Sequence, residues 1–115
     1  MDTSFDKSKL TGKDCEFLIT PGDIEVNAKD FDRIMTPDSL SWTKTIKDNW
    51  PYYRVDSDEF SYSWEMPGIQ MTFNEEIGYC KAKLIADEVV FKLAKYTEQE
   101  ITLIFIPKNT VIHFL

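Results

Sequence analysis

The chain has 115 residues, of which 43% are hydrophobic and 29% charged, and a net charge of -7. This size predicts a single domain, 1–115, that buries roughly 65% of its unfolded surface without staples, and the ordinary apolar fraction excludes disorder. The acidic balance argues against nucleic acid and anionic membranes, which need clustered Lys and Arg, and favours a basic partner.

Residues 1–13 are polar, carry no signal-peptide pattern and are expected to fray. No segment reaches the length of a membrane span. Cys15 and Cys80 are far apart and form no CxxC pair. They are read as buried, reduced thiols of a cytoplasmic protein.

"CEFLIT" (15–20) reads as a strand ended by the Pro21-Gly22 turn signal, with "DIEV" returning as a second strand. "NAKDFDRIM" reads as a short helix. "TPDSLSWTKTIKDNWP" predicts a helix over about 37–50. Thr36 suits the N-cap, Pro37 the first helical position and Asp38 the first turn. Trp42, Ile46 and Trp50 recur at four-residue steps on one face, and Pro51 ends the run. "YYRV" reads as a strand and "DSDE" as a charged turn.

"FSYSWEMPGIQMTFN" (60–74) alternates apolar and polar residues in two phases separated by Pro67-Gly68. A hairpin with its tip at 67–68 pairs 66 with 69, 64 with 71 and 62 with 73, so all apolar residues share a face. A bulge at Pro67-Gly68 also restores the phase; the hairpin is preferred.

The strongest helix spans about 75–96, with Asn74 as cap, Glu75 and Glu76 in the first turn, and Lys92 and Lys95 near the end. Glu88 and Lys92 form a favourable i,i+4 pair. Ala82, Ile85, Ala86, Val89, Val90, Leu93 and Tyr96 make the core stripe. Ile77, Leu84 and Phe91 make a second stripe, covered either by the 37–50 helix or by another protein. "ITLIFI" (101–106) is apolar almost throughout and reads as a central strand covered on both faces, with "VIHFL" returning beside it. The sum is an α+β domain, mainly antiparallel, with the long helix crossing between 69–73 and 101–106.

No catalytic site is expected. The one histidine, His113, lies in the last strand, two distant cysteines and one histidine do not make a zinc site, and no phosphate-binding glycine motif occurs. The chain is therefore read as a non-enzyme without metal or cofactor.

Charge placement carries the functional expectation. Between Arg54 and Lys81 no basic residue occurs, while Asp56, Asp58, Glu59, Glu65, Glu75 and Glu76 do. The hairpin gathers five of these six at its open end and leaves Glu65 near the tip. Such a cluster costs self-repulsion and gives oriented, fast approach to a basic partner. Tyr52 and Tyr53 are candidate aromatic anchors.

The order "DEFSYSWEMPGIQMTFNEE", then "IADEVVFKLAKYTEQEITLIFI", resembles small bacterial immunity proteins that accompany polymorphic toxins of contact-dependent growth inhibition and Rhs-type systems. The likeness covers the second half of the chain. It is carried by Trp64-Glu65-Met66-Pro67-Gly68, by Ala86-Asp87-Glu88 and by the strand Ile101 to Ile106. It implies a cytoplasmic inhibitor that binds one cognate protein toxin, often a basic nuclease, and carries over no catalytic residue. The alternatives are a homodimeric adaptor using the Ile77/Leu84/Phe91 stripe, and a small ligand-binding domain with a pocket between sheet and helices.

Overall fold

The computed structural model describes residues 7–108. Their elements are β1 (Cys15–Thr20), α1 (Ala28–Ile34), β2 (Thr43–Lys47), β3 (Trp50–Val55), β4 (Asp58–Glu65), β5 (Gly68–Phe73), α2 (Tyr79–Thr97) and β6 (Thr102–Pro107). All strand pairings are antiparallel, in a six-stranded sheet of order β2-β3-β4-β5-β1-β6. The α+β class is as expected. β2 to β5 form a meander, β1 lies between β5 and β6, and α2 carries the chain over β1 from β5 to β6.

One sheet face packs the core. Phe17, Ile19, Tyr53, Val55, Phe60, Tyr62, Ile69, Met71 and Phe73 are buried there with Ala82, Ile85, Ala86, Val89 and Leu93 of α2. Phe31 of α1 lies against Tyr53, Tyr62 and Trp64, while Tyr79 of α2 lies against Phe17 and Phe105. The opposite face is half-buried and mostly polar over β4 and β5, where Ser61, Ser63, Gln70 and Thr72 alternate with core residues.

Several expectations are corrected. The 37–50 segment is not a helix; the short helix is α1. "TKTIK" alternates in the manner of a strand and is rich in β-branched residues. Asp48 and Asn49, with φ of 53° and 64°, form the two-residue turn between Lys47 and Trp50. Side chains of these types tolerate the left-handed region that a tight hairpin turn demands. Trp42, Ile46 and Trp50 consequently share no buried face, and Ile46 is 57% exposed. "DIEV" forms no strand.

The hairpin is present with its tip shifted to Met66-Pro67, so that Glu65 pairs with Gly68, Trp64 with Ile69, Tyr62 with Met71 and Phe60 with Phe73. Gly68 thereby enters the sheet beside β1, where a Cβ would lie 2.1 Å from the Ile19 carbonyl oxygen. Met66 is 96% exposed at the tip.

α2 begins at Tyr79, after Glu75 and Glu76, and Asn74 does not cap it. The Leu10 carbonyl accepts from the Tyr79 N–H at 3.0 Å instead. Thr11 bridges Gly78, Gly12 N–H donates to Ile77 and Lys13 N–H to Glu75, so residues 10–13 are held rather than frayed. Ile77 is buried ahead of the helix, which leaves only Leu84 and Phe91 exposed on the second stripe. Glu88 and Lys92 do not pair. Glu88 accepts from Ser39, and Lys92 donates to the Arg33 and Thr36 carbonyls and to Asp38, so both tie the 33–39 segment to α2.

Among the described residues β6 pairs only with β1, and its residues are exposed at Thr102, Ile104 and Pro107 and half-buried at Leu103, Phe105 and Ile106, so none of them is fully covered. "VIHFL" and His113 lie outside the described residues. Both cysteines are free; Cys15 is buried, but Cys80 is exposed on the first turn of α2. Burial, joined by the negative charges of Asp14 and Glu16, pushes the Cys15 thiol pKa up. Among the described residues no helix is long and apolar enough to cross a membrane.

Candidate functional site

The acidic end is assembled from the β3–β4 turn, the β5–α2 connection and the first turns of α2. Its centre is Asn74. The Asn74 backbone N–H donates to the Glu59 carbonyl, and its side-chain oxygen accepts from the Glu59 N–H at 2.8 Å. Its side-chain nitrogen donates to Asp58 at 3.0 Å and Glu76 at 3.4 Å. These bonds terminate the β4–β5 ladder and fix two carboxylates in place. Gly12 packs on the same residue from behind, where a Cβ would stand 1.9 Å from the Asn74 carbonyl oxygen.

Lysines from outside the acidic window reach into it. Lys81, half-buried and reaching in from α2, sits 2.6 Å from Asp58 and 2.9 Å from Asp56. Lys47 crosses from the β2 edge to Glu59 at 2.7 Å. The acids are therefore partly neutralised, contrary to the expectation from the linear window. Burial works to raise the Asp58 pKa, but the bonds from Lys81 and Asn74 and the Lys81 charge outweigh it and leave the carboxyl below its ordinary range. The same contacts hold Lys81 above the ordinary lysine range, the Asp58 bond contributing most and the Asp56 bond next.

Two classes of carboxylate result. Asp58 and Glu59 are held inward, with side chains 14% and 23% exposed. Asp56 has its side chain 75% exposed, at a position of φ 57° in the turn, and Glu75 and Glu76 are exposed and form no ion pair among the described residues. The arrangement offers ordered acceptors to cationic groups. Among the described residues no cluster of ligands suits a metal ion.

The remaining expected residues fall elsewhere. Glu65 lies at the far end of β4, about 20 Å along the strand, bonded to Ser63. Tyr53 is fully buried and donates to Asp32 at 2.6 Å, so it is a core residue. Tyr52 is half-buried on the polar face under the Lys47 ammonium, 4.4 Å from its ring centre. Asn74 and Lys81 are the site residues that the linear reading missed. Asn74 carried a cap signal, and Lys81 appeared only as the boundary of the window.

At the opposite end an open hollow of about 680 Å³ is lined by Ile24–Ala28, Trp64 and Tyr96. The Tyr96 hydroxyl is already engaged, donating to Asp30 and accepting from the Asn27 N–H. No protein-family model, curated protein or solved structure matches the chain.

Proposed function

We propose that the protein is an immunity-type inhibitor that binds a cognate basic bacterial toxin, in the cytoplasm, through its acidic end. The observation that carries this reading is the ordering of Asp56, Asp58 and Glu76 by Lys81 and Asn74 beside exposed Glu75. Carboxylates held before contact lose less side-chain freedom on binding, and a like-signed group of them steers a basic surface toward one orientation. Asp56, Glu75 and Glu76 would meet the toxin's Lys and Arg. Asp58 would position Asp56 through the shared Lys81, and the Glu59 backbone would position Glu76 through Asn74. Substrate access would be blocked by occupation, without chemistry.

The division of roles sets the test. The reversal D56K/E75K/E76K changes the exposed carboxylates and leaves the inner pair intact. Capture from the native host with the wild-type protein should retain a basic protein that arrests growth when expressed alone and is neutralised by co-expression. The triple reversal should lose both capture and neutralisation while keeping the wild-type fold by circular dichroism, with a lowered melting temperature because the Lys81–Asp56 and Asn74–Glu76 contacts are lost. A captured toxin that binds the reversed protein equally well would place the interface elsewhere, and capture of only non-toxic proteins would defeat the inhibitor reading.

A further inference from the structure

The sheet's β2 edge is five residues long, exposed at every position, and paired with β3 in an unbroken register from Thr43↔Arg54 to Lys47↔Trp50. Edge strands are ordinarily blunted by outward lysines, prolines or bulges. Here both lysines are turned inward from the edge, Lys44 to helix α1 and Lys47 across the sheet. Lys44 lies 3.1 Å from Asp32, and Lys47 lies 2.7 Å from Glu59 and over the Tyr52 ring. No bulge interrupts the strand, and the proline nearby, Pro51, is on β3.

The pairing sets which backbone groups are unused. Lys47 and Trp50 flank a two-residue turn and form a hydrogen-bonded pair, so by alternation Thr43, Thr45 and Lys47 bond inward to β3. The N–H and C=O of Lys44 and Ile46 point outward. Pro51, opposite Ile46, falls where its missing N–H would have faced β4, and the β3–β4 ladder is formed only from Tyr53 onward.

We propose that β2 is a self-association edge: two copies pair antiparallel about Thr45, joining their sheets into one. In this register Thr45 faces Thr45 of the second copy, and Lys44 and Ile46 exchange backbone bonds with Ile46 and Lys44 across the axis. The exposed Ile46 side chain comes beside the Lys44 stem of the other copy, which buries apolar surface. The charges fit a second copy. Each edge lysine already has its own carboxylate, so the edges meet as locally neutral surfaces. The antiparallel sense also sends the two acidic ends, which adjoin the Thr43/Arg54 end of the hairpin, to opposite poles of the dimer. This inference does not depend on the toxin-binding reading.

Sedimentation of the purified protein over a concentration series should show a monomer–dimer equilibrium. Ile46→Pro removes an outward donor and no internal bond, and should give a monomer with the wild-type fold by circular dichroism. An independent arm uses Thr45→Cys on a Cys80→Ser background. Facing residues of a non-hydrogen-bonded pair lie about 4.5 Å apart at Cα, within disulfide reach. Mild oxidation should therefore give a covalent dimer for Thr45→Cys and little for Leu84→Cys on the same background. A wild-type monomer at every concentration overturns the proposal. So does a dimer that survives Ile46→Pro or crosslinks through position 84, and so does protection of the edge amides that appears only when a foreign partner is added.

Discussion

The Lys81 ammonium lies 2.6 Å from the Asp58 carboxylate, 23 residues away in sequence, and the same ammonium reaches Asp56. One cation thus joins the β3–β4 turn to α2. Lys81→Met strands a largely covered carboxylate and should destabilise the fold by about 1–3 kcal/mol, measured by urea unfolding. It should also raise the association rate with a basic partner at low salt, because a positive charge leaves the site. A variant that lost stability and also associated more slowly would mean that Lys81 shapes the binding surface rather than merely neutralising it.

Acid sensitivity follows from three carboxyls held below their ordinary range. Asp30 is lowered by the Tyr96 hydroxyl and then by Arg33. Asp32 resists the raising effect of burial through Tyr53 and Lys44, and Asp58 does so through Lys81 and Asn74. A carboxyl with a depressed folded pKa contributes stability that is complete above its unfolded value, here near 3.8, and lost as pH falls through the folded one. Stability should therefore hold down to about pH 4 and decline below it. Asp32→Asn and Asp58→Asn should each flatten that decline. Lys81 has the opposite sign: its raised value keeps its contribution below 10.5 and removes it only in stronger alkali.

Tyr53 and Asp32 make an asymmetric pair. Burial, then the hydrogen bond and charge of Asp32, push the Tyr53 phenol far above its ordinary range, so it remains a donor. Tyr53→Phe loses one bond to a carboxylate and should cost about 1–2 kcal/mol. Asp32→Ala leaves the buried hydroxyl unpartnered and also releases Lys44, so its loss should be larger. Thermal unfolding of the two variants under one buffer condition gives the order directly.

Two backbone positions should respond in opposite directions. Glu98 closes α2 with φ 57° and ψ 30°, a conformation that costs any residue with a Cβ. Glu98→Gly should stabilise by about 0.5–1 kcal/mol. Gly12→Ala forces a Cβ against the Asn74 carbonyl and should destabilise by about 1–3 kcal/mol, with the acidic end perturbed first. Amide exchange at Lys13 and Tyr79 would report that local loosening.

Periodicity made the β4–β5 hairpin and the buried stripe of α2 legible, because each keeps its period over enough residues to decide, whereas β1 was marked by the turn signal that ends it. It misled at 37–50, where Trp42, Ile46 and Trp50 mimic a helical face while Asp48-Asn49 marks a tight turn. It also misplaced the start of α2, since a capping-type residue before two glutamates is equally what a carboxylate-ordering hub looks like. The apolar run at 101–106 was read as doubly covered, yet none of these residues is fully buried among the described residues, because composition does not encode what packs over a strand. Charge placement along the chain located the acidic end but not its neutralisation, because Lys47 and Lys81 arrive through tertiary pairing.

The packing of residues 10–13 against 74–79 has a thermodynamic consequence. The acidic end draws on stretches near residues 12, 58 and 80 that meet only when the sheet, the helix and the leading segment are all in place. A ligand engaging that end would bind the native state and have almost nothing to hold in the unfolded chain. Its affinity would therefore register as a concentration-dependent rise in the midpoint of global unfolding. Melting curves recorded against a candidate basic partner thus double as a binding assay, with the whole fold as the reporter.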